Sequence, residues 1–508
     1  MKIYCAVIFL FLFLASSNQG FSNQKPQISI EDGLKDLYNV RLEEAESKFH
    51  SYGILYPDDM KGFFFESMVY FYRAASTSDD NLYNKYIELT DKVIDKCEEQ
   101  LEINDTNTDA LYINGAVHSY RSLIMLYLNK SLLKAADNGN KGYRILKNIV
   151  KNYPDYYDAY MGLGLFKIAL GFVPNKYKWL LSLIGIDGDI KDGIQMLRTS
   201  AEKSRYNKVE SKAFLVVFLI REKEEKNTES LDIVNSLVNE YPESPVFREV
   251  YGSLLIQICK IDDAIKQLNK ALELNTNSMQ NEIKKGIYSM LGTAYFRKND
   301  FKNAILNLEE SFKYVQEQDR YNITIYLLAV SYEMLGRRDI AIEKYKASRN
   351  KYIDEKDGEP EKLFYRYSNE RIIAPINELD SLTTIAVNER EEGLYNESLN
   401  NFNKIEENKW LEKYNNDDAK IRYYYELGVL YNFRNENDKA IDCFNKCVKL
   451  NPHTEIWLIP HSYFELGKKY YRSAIRETAE KMFDKIYDYK DFDFRDFLEL
   501  RLRNFLAK

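Results

Sequence analysis

Cysteine and histidine are the residues of this chain whose types and spacing invite a chemical reading. Cys443 and Cys447 stand four residues apart, the separation that would put two thiols on one side of a helix as a metal or redox pair. At that spacing the Cβ atoms lie about 5–6 Å apart, beyond the roughly 3.5–4.5 Å that a disulfide requires. The physical reading is therefore a pair of small core thiols. A zinc site would need further ligands, and the four histidines of the chain, His50, His118, His453 and His461, have no ligand-like spacing. Beyond Cys5 near the N-terminus, Cys97 and Cys259 complete a set too sparse for a disulfide framework. The run Asp187-Gly188-Asp189 lacks the further acidic positions of a calcium loop and reads as a turn. No G-x-S-x-G elbow, no phosphate-cradling G-x4-G-K-[ST] loop and no H-E-x-x-H occurs. The expectation is a chain without catalytic residues, cofactor or metal.

The elements that carry these residues repeat. Over residues 421–454, Tyr424, Leu427, Gly428, Tyr431, Ala440, Phe444 and Pro452 fall at the fixed spacings of the tetratricopeptide pattern W-x2-L-G-x2-Y…A-x3-F…P, with Tyr in place of Trp. That spacing predicts two antiparallel helices joined by the polar turn 435–438. A small residue at position 8 lets the helices approach, and Pro452 closes the second helix. Cys447 occupies position 27, where the repeat wants a small residue.

Laid along the chain, the same ruler finds a degenerate copy at 26–59 (Gly33, Ala45, Phe49, Pro57) and a lengthened helix pair over 108–153. An interrupted copy covers 155–205, and further copies follow at 211–244, 245–278, 285–318 and 322–355. The pattern lapses over 356–378 around Asp357-Gly358-Glu359-Pro360 and Pro375, then resumes at 379–412, 421–454 and 460–493. The fold class expected is all-α, an α-solenoid of tetratricopeptide helix-turn-helix repeats. Its organisation would be a solenoid over 23–355 with an insertion at about 172–190, an irregular joint at 356–378, further repeats over 379–493, and a capping helix over 494–508 of the kind solenoids require.

Residues 1–22 begin with Lys2, continue with the apolar run from Ala6 to Leu14 and end in small residues, the layout of a secretory signal peptide. Cleavage after Ser17 or after Ser22 fits a small-x-small rule, and the expected location is exported, periplasmic or secreted, in a bacterial envelope. The apolar run is too short to span a bilayer, for which about 20 residues are needed. Basic and acidic residues, 71 against 78, are interspersed with a net charge of −7, which leaves no basic stripe for a phosphate backbone and excludes nucleic acid as a partner class. Most of the 41 tyrosines fall to repeat packing. The sequons at Asn104, Asn129, Asn322 and Asn396 bear on the chain only in a eukaryotic secretory route.

Two segments carry a more specific likeness. Gly162-Leu163-Gly164, Phe166, Pro174, Trp179-Leu180-Leu181, the turn Gly185 to Asp189 and Gly193 form the first, and the run Ile459 to Gly467 with the tail from Tyr489 to Arg501 forms the second. Here the chain resembles the tetratricopeptide-repeat 39 proteins of animals, the fungal inclusion-body-clearance protein and their bacterial exported relatives. The resemblance implies a helical repeat fold and no catalytic site. The fungal protein is linked to lipid droplets and protein inclusions inside cells, a setting from which a leader peptide departs.

The function expected is that of a non-enzymatic scaffold or adaptor that holds a protein or peptide partner in its concave groove. First-helix positions 2, 5, 9 and 12 would line that groove, in the last repeats Arg422, Tyr425, Val429, Asn432, His461, Phe464, Lys468 and Tyr471. Aromatic and arginine anchors suit such a surface. Two other readings stay open. One is a membrane- or lipid-surface protein acting through 172–184, where Lys176, Lys178 and Trp179 begin a short apolar face that would equally suit a helix plugging the groove. The other is a glycan-binding envelope protein using aromatic platforms.

Overall fold

The computed structural model describes residues 29–171, 188–222, 228–274, 280–315, 321–348 and 359–506. Among these residues the chain forms 25 α-helices and no strand. Helix pairs are the recurring unit. In the repeat that matches the ruler best, the Asp417–Phe433 and Asn437–Cys447 helices pack antiparallel. A Cβ placed on Gly428 would lie 2.9 Å from the Phe444 ring, so the glycine is what permits the approach. Gly467 stands in the same relation to Phe483 one repeat later, and Gly33 to Phe49 near the N-terminus.

The turn inside each pair is also shared, and its chemistry is backbone chemistry. The N–H of Glu436 donates to the carbonyl of Tyr431 (2.9 Å) across Asn435, whose φ is 58°. This six-to-one closure with a left-handed residue before it is the Schellman way to end a helix. It recurs from Arg41 to Asp36 around Val40, from Lys130 to Met125 around Asn129, and from Lys260 to Leu255 around Cys259. It recurs again at Asn299, Gly336, Gly393 and Ala474. Only two of these eight positions are glycine, although glycine is the residue that adopts the left-handed region without strain. Cys259 is thus a turn residue.

The described residues divide into two compact units, one of residues up to 254 together with 266–287, the other of 255–265 together with 288 onward. In the N-terminal unit the interrupted repeat pairs the Asp158–Gly171 and Ile190–Lys203 helices. A Cβ on Gly193 would sit 2.6 Å from the Gly164 carbonyl oxygen, so this crossing is a backbone-to-backbone contact that two glycines make possible. The Ile30–Tyr38 helix is held by later repeats of the same unit. Tyr38 packs edge-on against Tyr241 (5.7 Å), and Glu31 pairs with Arg205 (2.9 Å). Beneath it lies Glu210, buried and with its acidity suppressed first by burial and then by the charge of Asp158.

In the C-terminal unit the Glu359–Ile373 helix stands between the pair Asn322–Met334 with Arg338–Lys346 and the pair Glu378–Glu392 with Tyr395–Glu407. It ends before Pro375, whose ring would break a helix interior. The pair Leu458–Arg472 with Arg476–Ile486 follows the ruler repeat, and the chain closes with the Arg495–Leu506 helix, which buries Leu498 and Leu502 against Ala479, Phe483 and Ile486. The leader expected at 1–22, residues 172–187 of the expected insertion and residues 349–358 lie outside the described residues.

Candidate functional site

The inner face of the C-terminal unit is built around Glu455. The loop that leads to it is fixed by Asp418, whose carboxylate accepts the backbone N–H groups of His453 (3.0 Å), Thr454 (2.7 Å) and Glu455 (2.8 Å). Burial works against that carboxylate, but the donated N–H bonds outweigh it and hold Asp418 below the ordinary range. With its backbone pinned, Glu455 turns inward and is fully buried. Its Oε2 accepts the Tyr367 hydroxyl (2.9 Å) and the Trp457 indole N–H (2.8 Å). Burial raises the carboxyl pKa despite the opposing charge of Arg422, whose Nε stands 3.7 Å from Oε1.

Around this carboxylate the Glu359–Ile373 helix contributes two residues besides Tyr367. Arg366 pairs with Asp493 (2.9 Å), and Arg371 pairs with Asp380 (2.7 Å). The Arg422 guanidinium lies over the Tyr367 ring at 5.8 Å, a cation–π distance. The neighbouring level of the same face holds Tyr425 against Trp457 (6.4 Å) and His461 edge-on to the Trp457 indole (5.2 Å). The level beyond holds Glu465, which accepts from Lys468 (3.1 Å), from Arg501 (3.4 Å) and from the Asn432 amide (3.5 Å).

This arrangement changes the reading of the groove. His461 is 4% exposed, Phe464 1% and Lys468 6%, so these three of the expected groove residues are buried within the unit itself. Arg501 of the terminal helix covers Phe464 at 4.7 Å from its ring, and Phe505 of that helix lies 5.1 Å from the Tyr471 ring. Arg476 also sits on Tyr471. The Arg495–Leu506 helix thus covers Phe464 and Tyr471. Arg422, Tyr425, Val429 and Asn432 remain half-buried along one face of the Asp417–Phe433 helix. Lys176, Lys178 and Trp179 lie outside the described residues.

Among the polar atoms here without a hydrogen-bond partner are Glu455 Oε1, His461 Nε2, Asn432 Oδ1 and Arg366 Nε. Burial and the nearby Arg501 charge push His461 down to about 3, so it is a neutral imidazole at physiological pH. Glu455, Trp457, Tyr367 and Arg501 carry the site and were not legible as a set. Tyr367 lies in the stretch where the repeat pattern lapses, and Glu455 lies in a loop between repeats, positions on which the ruler is silent. The cysteine pair takes no part. Cys443 and Cys447 are buried core residues whose thiols burial pushes up to about 12, and the Cys447 thiol faces the Ile421 carbonyl at 3.7 Å. Among the described residues no group of His, Cys, Asp and Glu is placed to hold a metal ion, and no helix is long and apolar enough to cross a membrane.

Comparison with known proteins adds two family matches. Residues 158–363 match the family described as Iml2/Tetratricopeptide repeat protein 39, and residues 421–454 match the tetratricopeptide repeat itself. Among solved structures, yeast Tom70 aligns over 89% of this chain and 91% of its own at 13% identity and a TM-score of 0.32. YrrB, described as a tetratricopeptide protein with an unusual peptide-binding site, aligns over 45% of this chain and 96% of its own at 18% identity and a TM-score of 0.22. A human IFIT1 dimer with PPP-AAAA aligns over 88% of this chain and 94% of its own at 12% identity and a TM-score of 0.39. Scores this low carry no argument about ligands or overall shape.

Proposed function

We propose that this chain, a tetratricopeptide repeat protein whose residues 158–363 match the Iml2/TPR39 family, is a non-enzymatic scaffold that holds a polypeptide segment of a partner on the inner face of its C-terminal unit. The observation that carries the reading is the half-buried row Arg422, Tyr425, Val429 and Asn432 beside Trp457, with the unbonded Asn432 Oδ1 in the same row. Aromatic and arginine side chains in a recessed wall are the residue types that dominate binding energy at interfaces. Buried acceptors without a partner cost about 1–3 kcal/mol each until a donor arrives, and backbone N–H groups of a bound segment are such donors. The balance of Arg366, Arg371, Arg422 and Arg501 against Asp380, Glu455, Glu465 and Asp493 suits a partner of mixed polar character.

A displayed library of random peptides, selected on the full chain, tests this. Selected peptides should lose affinity for a Tyr425→Ala, Asn432→Ala variant, measured below the lowered melting transition that loss of Tyr425 packing brings. Peptides that bind both proteins equally would remove the inner face from the function. Export is proposed from the leader-like layout of residues 1–22. N-terminal sequencing of the protein from its native cell should then begin after Ser17 or Ser22; a retained Met1 would overturn export.

A further inference from the structure

A second surface lies in the N-terminal unit. The described residues of that unit include six exposed large apolar side chains, and four of them, Ile54 (68%), Leu55 (58%), Tyr56 (40%) and Ile103 (80%), fall in one place. Leu55 and Tyr56 line a cleft of about 470 Å³ formed by residues 55–61 together with Gln100, Asn107 and Asp109, and Ile54 adjoins Leu55 in the chain. Gln100 and Ile103 are one helical turn apart on the Asp80–Ile103 helix, so Ile103 stands at the mouth of the cleft. The cleft sits where helix ends and inter-repeat loops meet: the end of Leu42–Leu55, the start of Lys61–Thr77, the end of Asp80–Ile103 and the start of Thr108–Tyr127. It is an edge of the array, not its first-helix face.

The edge is built before anything binds. Lys96 Nζ donates to the Pro57 carbonyl (2.7 Å) and clips the loop onto the Asp80–Ile103 helix. Lys61 is held by Asp109 (2.8 Å), Tyr52 donates to Asp59 (2.8 Å), and Tyr156 donates to Asp109 (2.7 Å). Both lysines of the cleft are therefore engaged by the protein itself. What faces solvent around the apolar rim is acidic: Asp58, Glu99, Glu102 and Asp105 are exposed. Soluble surfaces rarely gather large apolar side chains, and such a patch with a polar rim marks an interaction site. The charge around it selects the sign of the partner, since unlike potentials steer association and like charges repel.

We propose that this edge is a docking surface for a basic, amphipathic segment of a partner protein, whose apolar residues pack on Ile54, Leu55, Tyr56 and Ile103 while its lysines or arginines face Asp58, Glu102 and Asp105. The surface is independent of the inner face of the C-terminal unit, and loss of binding at one leaves the other intact. The test uses the full chain and two fluorescein-labelled amphipathic peptides, one of leucine and lysine, the other of leucine and glutamate. The leucine–lysine peptide should bind, more weakly at high salt, and Ile103→Asp or Asp58→Lys with Glu102→Lys should each weaken it about tenfold, the effect of roughly 1.4 kcal/mol. These are surface substitutions, so melting temperatures should hold within the range of about ±0.5 kcal/mol expected away from the core. Four results would each overturn the proposal: no binding of the basic peptide, equal binding of both peptides, binding indifferent to the variants, or a concentration-dependent dimer abolished by Ile103→Asp. The last would assign the edge to a second copy of this chain.

Discussion

The Tyr367 hydroxyl donates to Glu455 at 2.9 Å, joining the Glu359–Ile373 helix to the loop that precedes the last helix pair of the C-terminal unit. The bond links residues 88 apart in sequence and ties the stretch without repeat pattern to one of the best-patterned parts of the chain. Because Glu455 is fully buried, what the bond contributes is set by the carboxylate it serves.

Removing the phenol and keeping the ring should expose that dependence. Tyr367→Phe leaves Glu455 Oε2 with Trp457 alone and should destabilise the chain by about 1–3 kcal/mol, the cost of an unsatisfied buried group. Glu455→Gln, which removes the buried charge, should shrink the further cost of Tyr367→Phe. Chemical denaturation of the two single variants and the double variant checks this, and additive costs would show that the two residues are not coupled.

His461 ties stability to acid. Its folded pKa, about 3, lies below the ordinary histidine value of 6.5 because burial disfavours the imidazolium. Its contribution is therefore complete above pH 6.5 and is lost progressively as pH falls from 6.5 towards 3. His461→Gln should flatten the melting temperature across that window while lowering it by a constant amount at neutral pH. A wild-type profile as flat as the variant's would place the acid sensitivity elsewhere.

Glu249 acts in the other direction. It is buried, and burial lifts its pKa from 4.5 to about 8, with Glu282 adding to the rise. The acid form is the one the fold accepts, so stability is complete below pH 4.5 and is lost as pH rises towards 8. Glu249→Gln should match wild type near pH 4 and melt several degrees higher at pH 9. A Cβ on Gly286 would clash with the Glu249 side chain, so Gly286→Ala should destabilise the wild type at every pH by displacing that carboxyl.

Ala474 closes the Leu458–Arg472 helix at φ 61° and is exposed. The left-handed region costs a non-glycine residue roughly 1–2 kcal/mol. Ala474→Gly should therefore raise the unfolding free energy by up to about 1 kcal/mol, after glycine's greater chain entropy is subtracted. Thermal melts check it, and a lower melting temperature would show that the turn carries no strain.

The repeat ruler read Gly428, Ala440 and Phe444 correctly because each acts within one helix pair, where spacing and size decide contact, whereas the second helix already ends at Cys447, ahead of Pro452. The same locality made Cys443 and Cys447 legible as core residues. It left Ala474 and Cys259 unread as turn residues, since a left-handed residue other than glycine leaves little signature in the sequence.

By itself, then, the sequence determined the helix pairs, their close glycine contacts and the all-α repeat class, all of which follow from interactions within some 34 residues. Only the tertiary structure decided which inner-face residues stay accessible. The burial of His461, Phe464 and Lys468 depends on where the Arg495–Leu506 helix comes to rest, and the environment of Arg422 depends on Tyr367 and Glu455 meeting across 88 residues. The physical reason is that a repeat fixes its own hairpin, whereas the surface it presents belongs to whatever the stacked chain lays over it.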